Sequence, residues 1–154
     1  TIYKSAKFCE AQREILSRRS RRGAQKYMEK TENKISYDIR GAIFKVYKNL
    51  GPGLLESVYE KALAYELIKL GRKVKTQVGL PVKYEDQIME LGFRLDLLVD
   101  DLVIVEIKSV EALAPVHHKQ LLTYLKLTDL KLGLLVNFNT DDINKEIIRI
   151  VNNL

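Results

Sequence analysis

With 154 residues, 46% of them hydrophobic, the chain can bury one sizeable core and is most simply a single folded domain. Its one cysteine, Cys9, excludes an internal disulfide framework and any site built on several thiolates. No apolar run approaches the roughly 20 residues that span a bilayer, and the N-terminus lacks a signal-peptide pattern, so no membrane partner is expected and the cytoplasm is the expected compartment.

The net charge of +6 suggests a nucleic-acid partner until its distribution is read. Residues 1–27 hold eight Lys and Arg, including the run RRSRR at 18–22, against only Glu10 and Glu14. Residues 28–154 carry 18 basic and 18 acidic side chains and are neutral. The basic extension over 1–27 is therefore either a nucleic-acid-binding arm or foreign to the domain. The second reading carries more weight, because Met28 opens a segment that reads like a natural start. The expected domain is 28–154.

In chain order, Ile35, Ile39, Ala42, Ile43, Val46, Tyr47 and Leu50 form a helical stripe, which GPG at 51–53 breaks. The pattern predicts a second helix over about 54–70, with Gly71 suited to the left-handed position after its end. Strand-like segments follow at about 73–84, 88–99 and 102–110, with Glu85–Asp86 and Asp100–Asp101 where hairpin turns belong. Pro115 precedes a predicted helix over about 116–127. LKLGLLVNF (130–138) is a short apolar strand, and Thr140 with Asp141 is expected to cap a last helix running to the C-terminus. This order predicts an α/β fold around a mixed sheet: antiparallel hairpins, then a strand that joins in parallel after a helical crossover.

LVIVEIKSV (102–110) is the most apolar of the strands, yet Glu106 and Lys108 interrupt it. Residues two apart on a strand share a face, so both charges point the same way while Val103, Val105 and Ile107 point the other. Across the hairpin, Asp96 is again a charge inside an apolar strand, FRLDLLV. It shares the face of Glu106 and Lys108 only if the connection holds an odd number of residues or a bulge intervenes, and one of the two is expected. Two carboxylates in a partly apolar recess repel unless a cation joins them. Their oxygens suit Mg²⁺ or Mn²⁺, while Lys108 could position a water or offset charge on a phosphate. The bland alternative is a half-buried ion cluster of Asp96, Glu106, Lys108 and Arg94, and on spacing alone the two readings are about even.

On the second helix Glu56, Tyr59, Glu60, Leu63, Leu67 and Leu70 fall on one stripe, which places Glu56 at the end of a core-facing line. Its position near the helix start is an ordinary place for a carboxylate, and Tyr59 is more often a core aromatic than a catalytic one. His117, Gln120, Tyr124 and Leu127 share a face of the helix after Pro115. Gln120 and Tyr124 could reach the same recess, and a surface polar stripe is the alternative. His117 and His118 are adjacent, face different ways and make no two-histidine metal site.

GLLESVY (53–59), with Gly53, Glu56 and Tyr59, resembles the signature of the GxxExxY proteins. Asp96, Glu106 and Lys108 resemble the core motif of the PD-(D/E)XK nuclease superfamily to which that family is assigned. Gln120 and Tyr124 are similar to the QxxxY motif of its RecB-like branches. The likeness covers about Ile35 to Leu154, with these motifs in register; Leu95 stands where the motif's proline would precede Asp96. The resemblance implies a restriction-endonuclease-like αβββαβ core with a mixed central sheet flanked by helices. It implies Asp96, Glu106 and Glu56 as metal ligands for Mg²⁺ or Mn²⁺, and Lys108 as the catalytic lysine. Gln120, Tyr124 and Tyr59 would contact the substrate side. The expected activity is metal-dependent phosphodiester hydrolysis of nucleic acid, DNA above RNA. The alternative is a catalytically idle nucleic-acid-binding or protein-interaction module that keeps the fold. A homodimer, or a partner protein supplying specificity, stays open as an expectation.

Overall fold

The computed structural model describes residues 21–23 and 31–154, the side chains of 90–92 excepted. The chain divides into two compact units, Thr1–Asn33 and Lys34–Leu154. Apart from 21–23, which are helical and exposed, the basic extension expected over 1–27 lies outside the described residues, and so does Cys9.

The second unit opens with helix α1 (34–50) and continues with α2 (Glu56–Lys69), β1 (Val74–Tyr84), β2 (Gln87–Val99) and β3 (Val103–Lys108). Then come α3 (Pro115–Thr128), β4 (Leu132–Asn137), a 3₁₀ turn (Ile143–Glu146) and β5 (Ile147–Val151). The five strands form one mixed sheet in the order β1-β2-β3-β4-β5. β1–β2, β2–β3 and β4–β5 pair antiparallel, and the α3 crossover sets β4 parallel to β3. This is the expected α/β arrangement, restriction-endonuclease-like in its αβββαβ order.

The C-terminal segment departs from expectation. Thr140 and Asp141 cap no helix; Asp142 accepts the Asn144 N–H and starts only a 3₁₀ turn. The chain after it, IIRIV, becomes β5. Four of those five residues are β-branched, which restricts them in a helix and suits a pleated surface. The exposed edge of β4 also offers an unpaired row of backbone groups, which β5 satisfies.

Two cores cover the two faces of the sheet. One joins Ile35, Ile39, Ile43 and Val46 of α1 and Tyr59, Leu63 and Leu67 of α2 to Leu97, Val99, Val103, Val105, Ile107, Leu134 and Val136. The other joins Leu121, Tyr124 and Leu125 of α3 to Leu95, Ile104 and Leu135. Gly133 lets α3 approach closely, since a Cβ there would meet Leu121 side-chain atoms at 2.9–3.0 Å.

One detail breaks strand alternation. Leu95 and Leu97 are two apart and ought to share a face, yet Leu97 packs with α1 and α2 while Leu95 packs with α3. Between their partners on β1, Thr76 and Val78, lies Gln77 with a left-handed backbone (φ 51°). The β1–β2 ribbon changes faces there, and Asp96 stands at the change.

Candidate active site

The β2–β3 connection holds three residues, Asp100 to Leu102, because Val99 pairs with Val103. Asp100 and Asp101 are both left-handed (φ 52° and 56°), a conformation short polar side chains tolerate. The odd count sets Asp96 against Glu106 by register, as the strand pattern required. Backbone pairing nevertheless stops at Leu97–Val105. From there the Asp96 side chain takes over, and its Oδ2 accepts the Ile107 N–H at 2.8 Å.

Glu106 is 3% exposed. Its Oε1 accepts from Lys108 Nζ at 2.9 Å, while Oε2 is buried with no hydrogen-bond partner among the described residues. Burial, then the Asp96 charge, pushes the Glu106 carboxyl up to about 7, against the pull of Lys108. Burial likewise raises Asp96, although the Ile107 N–H and the Lys108 charge oppose it. Burial works against the charge on Lys108, but its hydrogen bond to Glu106 and the charges of Glu106, Glu56 and Asp96 outweigh burial and raise its pKa. Lys108 is therefore a held ammonium. Arg94 is exposed, so the alternative four-member ion cluster lacks its fourth buried member.

Glu56 is exposed at the first turn of α2, and its Oε1 accepts the Ser109 N–H at 3.1 Å. It joins the site through its field on Asp96, Glu106 and Lys108. Among the described residues no set of three or more His, Cys, Asp or Glu converges to hold a metal. Of the three carboxylates expected as ligands, Asp96 and Glu106 stand opposite each other by register on β2 and β3, and Glu56 reaches the site from α2. Glu56 spends one oxygen on the chain just past Lys108.

Tyr59, expected on the substrate side, lies in the core. It is fully buried and stacked on Phe138 with ring centroids 4.2 Å apart. Its hydroxyl donates to Gly51 O at 2.6 Å and accepts from Leu54 N at 3.1 Å. Both contacts tie the hydroxyl to the GPG loop and the residue after it. On α3, Gln120 Nε2 donates to Tyr124 Oη at 2.7 Å. Tyr124 is 3% exposed; burial raises its pKa first, and the fields of Glu106, Lys108 and Asp96 also reach it. The Gln120–Tyr124 pair thus lies within electrostatic reach of the carboxylates. His117 instead accepts the Ala114 N–H at the start of α3.

Three supporting residues carried no signal in the sequence pattern. Ser109 Oγ donates to Leu54 O at 2.6 Å. Asn137, 1% exposed, accepts from Val110 N and donates to Val110 O, both at 3.0 Å, and so fixes the segment after Lys108. Gln77 Nε2 donates to Glu60 Oε2 at 2.6 Å and lies 3.5 Å from Asp96 Oδ1.

A carboxylate pair on adjoining strands, Glu106 buried and Asp96 half-buried, with an ammonium alongside, is the arrangement the sequence motif describes. A profile of the PD-(D/E)XK nuclease superfamily matches residues 33–150. The chain belongs to that superfamily. No curated protein and no solved structure matches it. Membership brings nuclease-type phosphodiester hydrolysis at the level of the superfamily, with nucleic acid as the substrate class. No helix among the described residues is long and apolar enough to cross a membrane.

The donor set of this PD-(D/E)XK chain fits a hard divalent ion. The unpartnered Glu106 Oε2 is an oxygen that needs either a proton or a cation. Asp96 uses only Oδ2 in a short hydrogen bond. Mg²⁺ and Mn²⁺ are often held by one or two carboxylates, with waters and substrate phosphates completing the shell.

Proposed function

We propose that this chain is a Mg²⁺- or Mn²⁺-dependent nuclease acting on DNA, of the GxxExxY type, with 28–154 as its domain. The observation that carries the reading is the orphaned, buried oxygen of Glu106 beside Asp96 and Lys108. Asp96 and Glu106 would hold the ion, which when bound polarises a phosphate oxygen and acidifies a coordinated water.

The other steps belong to the chain's own side chains. Lys108 stays protonated through its contact with Glu106, so it stabilises charge on the phosphate or orients water by donating hydrogen bonds. Glu56 and Asn137 hold the backbone on either side of Ser109, which fixes where the β3 end presents Lys108. Gln120 and Tyr124 border the recess with a neutral hydrogen-bonding pair suited to a phosphate or a base edge.

A second reading rests on charge. Residues 28–154 balance at 18 basic and 18 acidic side chains, which predicts weak phosphate attraction and favours a binding module without turnover, or one whose partner supplies affinity. One experiment separates the two. Labelled single-stranded, linear and circular DNA is incubated with the protein in Mg²⁺, Mn²⁺ or EDTA, beside Lys108→Ala and Asp96→Asn. Metal-dependent cleavage lost in both variants supports the nuclease. DNA binding without cleavage supports the module. Cleavage that survives both substitutions removes this site from consideration.

A further inference from the structure

Gln77 is an exposed glutamine with φ 51° inside an eleven-residue strand. Left-handed backbone disfavours residues with a Cβ, and glutamine lacks the short side chain that lets Asn and Asp tolerate it. With no burial to hold it there, such a conformation persists only when something nearby gains from it.

The neighbours show what gains. Gln77 sits across from Asp96, between the pairs Thr76–Leu97 and Val78–Leu95, at the point where the ribbon changes faces. Its amide nitrogen carries two hydrogens. One is held by Glu60 Oε2 at 2.6 Å, and the other lies toward Asp96 Oδ1 at 3.5 Å. That second distance is too long for a strong bond, so it steers the carboxylate without saturating it. Asp96 Oδ2 is already tied to the Ile107 N–H. Together the two contacts define the plane of the Asp96 carboxylate and leave Oδ1 able to take a cation.

We propose that Gln77, clamped by Glu60, is a positioning residue that orients Asp96 toward a divalent ion shared with Glu106. The inference rests on the metal-dependent reading above. It extends that reading to two residues outside the motif, one on β1 and one on α2. Polar groups that orient a metal ligand through hydrogen bonds commonly change metal affinity by about tenfold or more when removed.

The test measures Mn²⁺ dissociation constants calorimetrically on the full chain for the wild type, Asp96→Asn, Gln77→Gly and Glu60→Ala, with melting curves in EDTA. Glycine accepts the left-handed backbone while deleting the amide, so Gln77→Gly should melt no lower than the wild type yet bind Mn²⁺ about tenfold more weakly. Glu60→Ala, which frees the amide, should weaken binding in the same direction. Asp96→Asn should lose Mn²⁺ binding. If Gln77→Gly binds Mn²⁺ like the wild type while Asp96→Asn does not, the positioning role is overturned and the metal reading stands. If the wild type binds no Mn²⁺, the metal reading fails and takes this inference with it. A sharp loss of melting temperature in Gln77→Gly would mean that position 77 does not hold a left-handed backbone, which also overturns the role.

Discussion

Asp96 accepts the Ile107 N–H through its side chain at the position where β2 stops pairing with β3 by backbone. One carboxylate thus completes the sheet and faces the site at once. Asparagine can still accept that N–H through its carbonyl oxygen, but it carries no charge to repel Glu106 or to bind a cation. Asp96→Asn should therefore match or exceed the wild type in metal-free stability while losing Mn²⁺-induced stabilisation. Asp96→Ala leaves the Ile107 N–H without its acceptor, a cost of about 1–3 kcal/mol. Urea unfolding of both variants in EDTA and in Mn²⁺ would separate the two roles of Asp96.

Glu106 makes metal-free stability depend on pH. Its folded pKa of about 7 lies above the ordinary 4.5, so between those values the folded protein keeps a proton that the unfolded chain has released. Stability then falls as pH rises across that window, and the loss is complete above it. Asp96, also raised, acts in the same direction from its lower ordinary value. The melting temperature in EDTA should be higher near pH 5.5 than near pH 8. Glu106→Gln should flatten most of that slope. Under the metal-dependent reading a cation would take the proton's place, so Mn²⁺ affinity should weaken below about pH 7. A wild-type melting temperature that rises from pH 5.5 to pH 8 in EDTA would contradict the assignment.

Much of this was legible in the sequence because charges inside apolar strands are conspicuous. Asp96, Glu106 and Lys108 stood out on those grounds, and parity alone required the odd β2–β3 loop that Asp100 to Leu102 provides. At the C-terminus Thr140 and Asp141 look like helix caps, and the β-branched run after them is too short to reveal its period, so the pattern points to a helix where the chain forms β5. The partner strand β4 decided the matter through backbone pairing, which one segment's pattern cannot show. For Tyr59 the motif fixes residue identity and not the direction of the hydroxyl, which only the Gly51 and Leu54 contacts show. Gln77 was invisible for a different reason. Left-handed backbone is signalled by Gly, Asn or Asp, and a glutamine there is explained only by Glu60 and Asp96, neighbours in space.

Gly133 is a packing requirement. A Cβ there would lie 2.9–3.0 Å from three side-chain atoms of Leu121, which is fully buried between α3 and the sheet. Gly133→Ala should cost about 1–3 kcal/mol as α3 is pushed from the sheet. Leu121→Ala alone should cost about 2–5 kcal/mol through the cavity it leaves. Combined, the two should cost at least ~1 kcal/mol less than their sum, because the new methyl fills part of that cavity. Denaturant midpoints of the four proteins in this cycle would show the coupling, and strict additivity would contradict the contact.

Tyr59 should influence activity without touching substrate. Its hydroxyl bridges Gly51 O and Leu54 N, and Leu54 O in turn accepts from Ser109 Oγ directly after Lys108 on the chain. Tyr59→Phe keeps the stack on Phe138 but frees the loop, at about 1–2 kcal/mol. The β3 end then loses one restraint while Glu56 and Asn137 still hold it. Cleavage under single-turnover conditions should accordingly fall by less than about tenfold, with Mn²⁺ affinity nearly unchanged because neither Asp96 nor Glu106 moves. Lys108→Ala, which removes the ammonium itself, should lose at least about a hundredfold. If Tyr59→Phe were as damaging as Lys108→Ala while remaining folded, the hydroxyl would have a direct part in the chemistry and its assignment to the loop would be wrong.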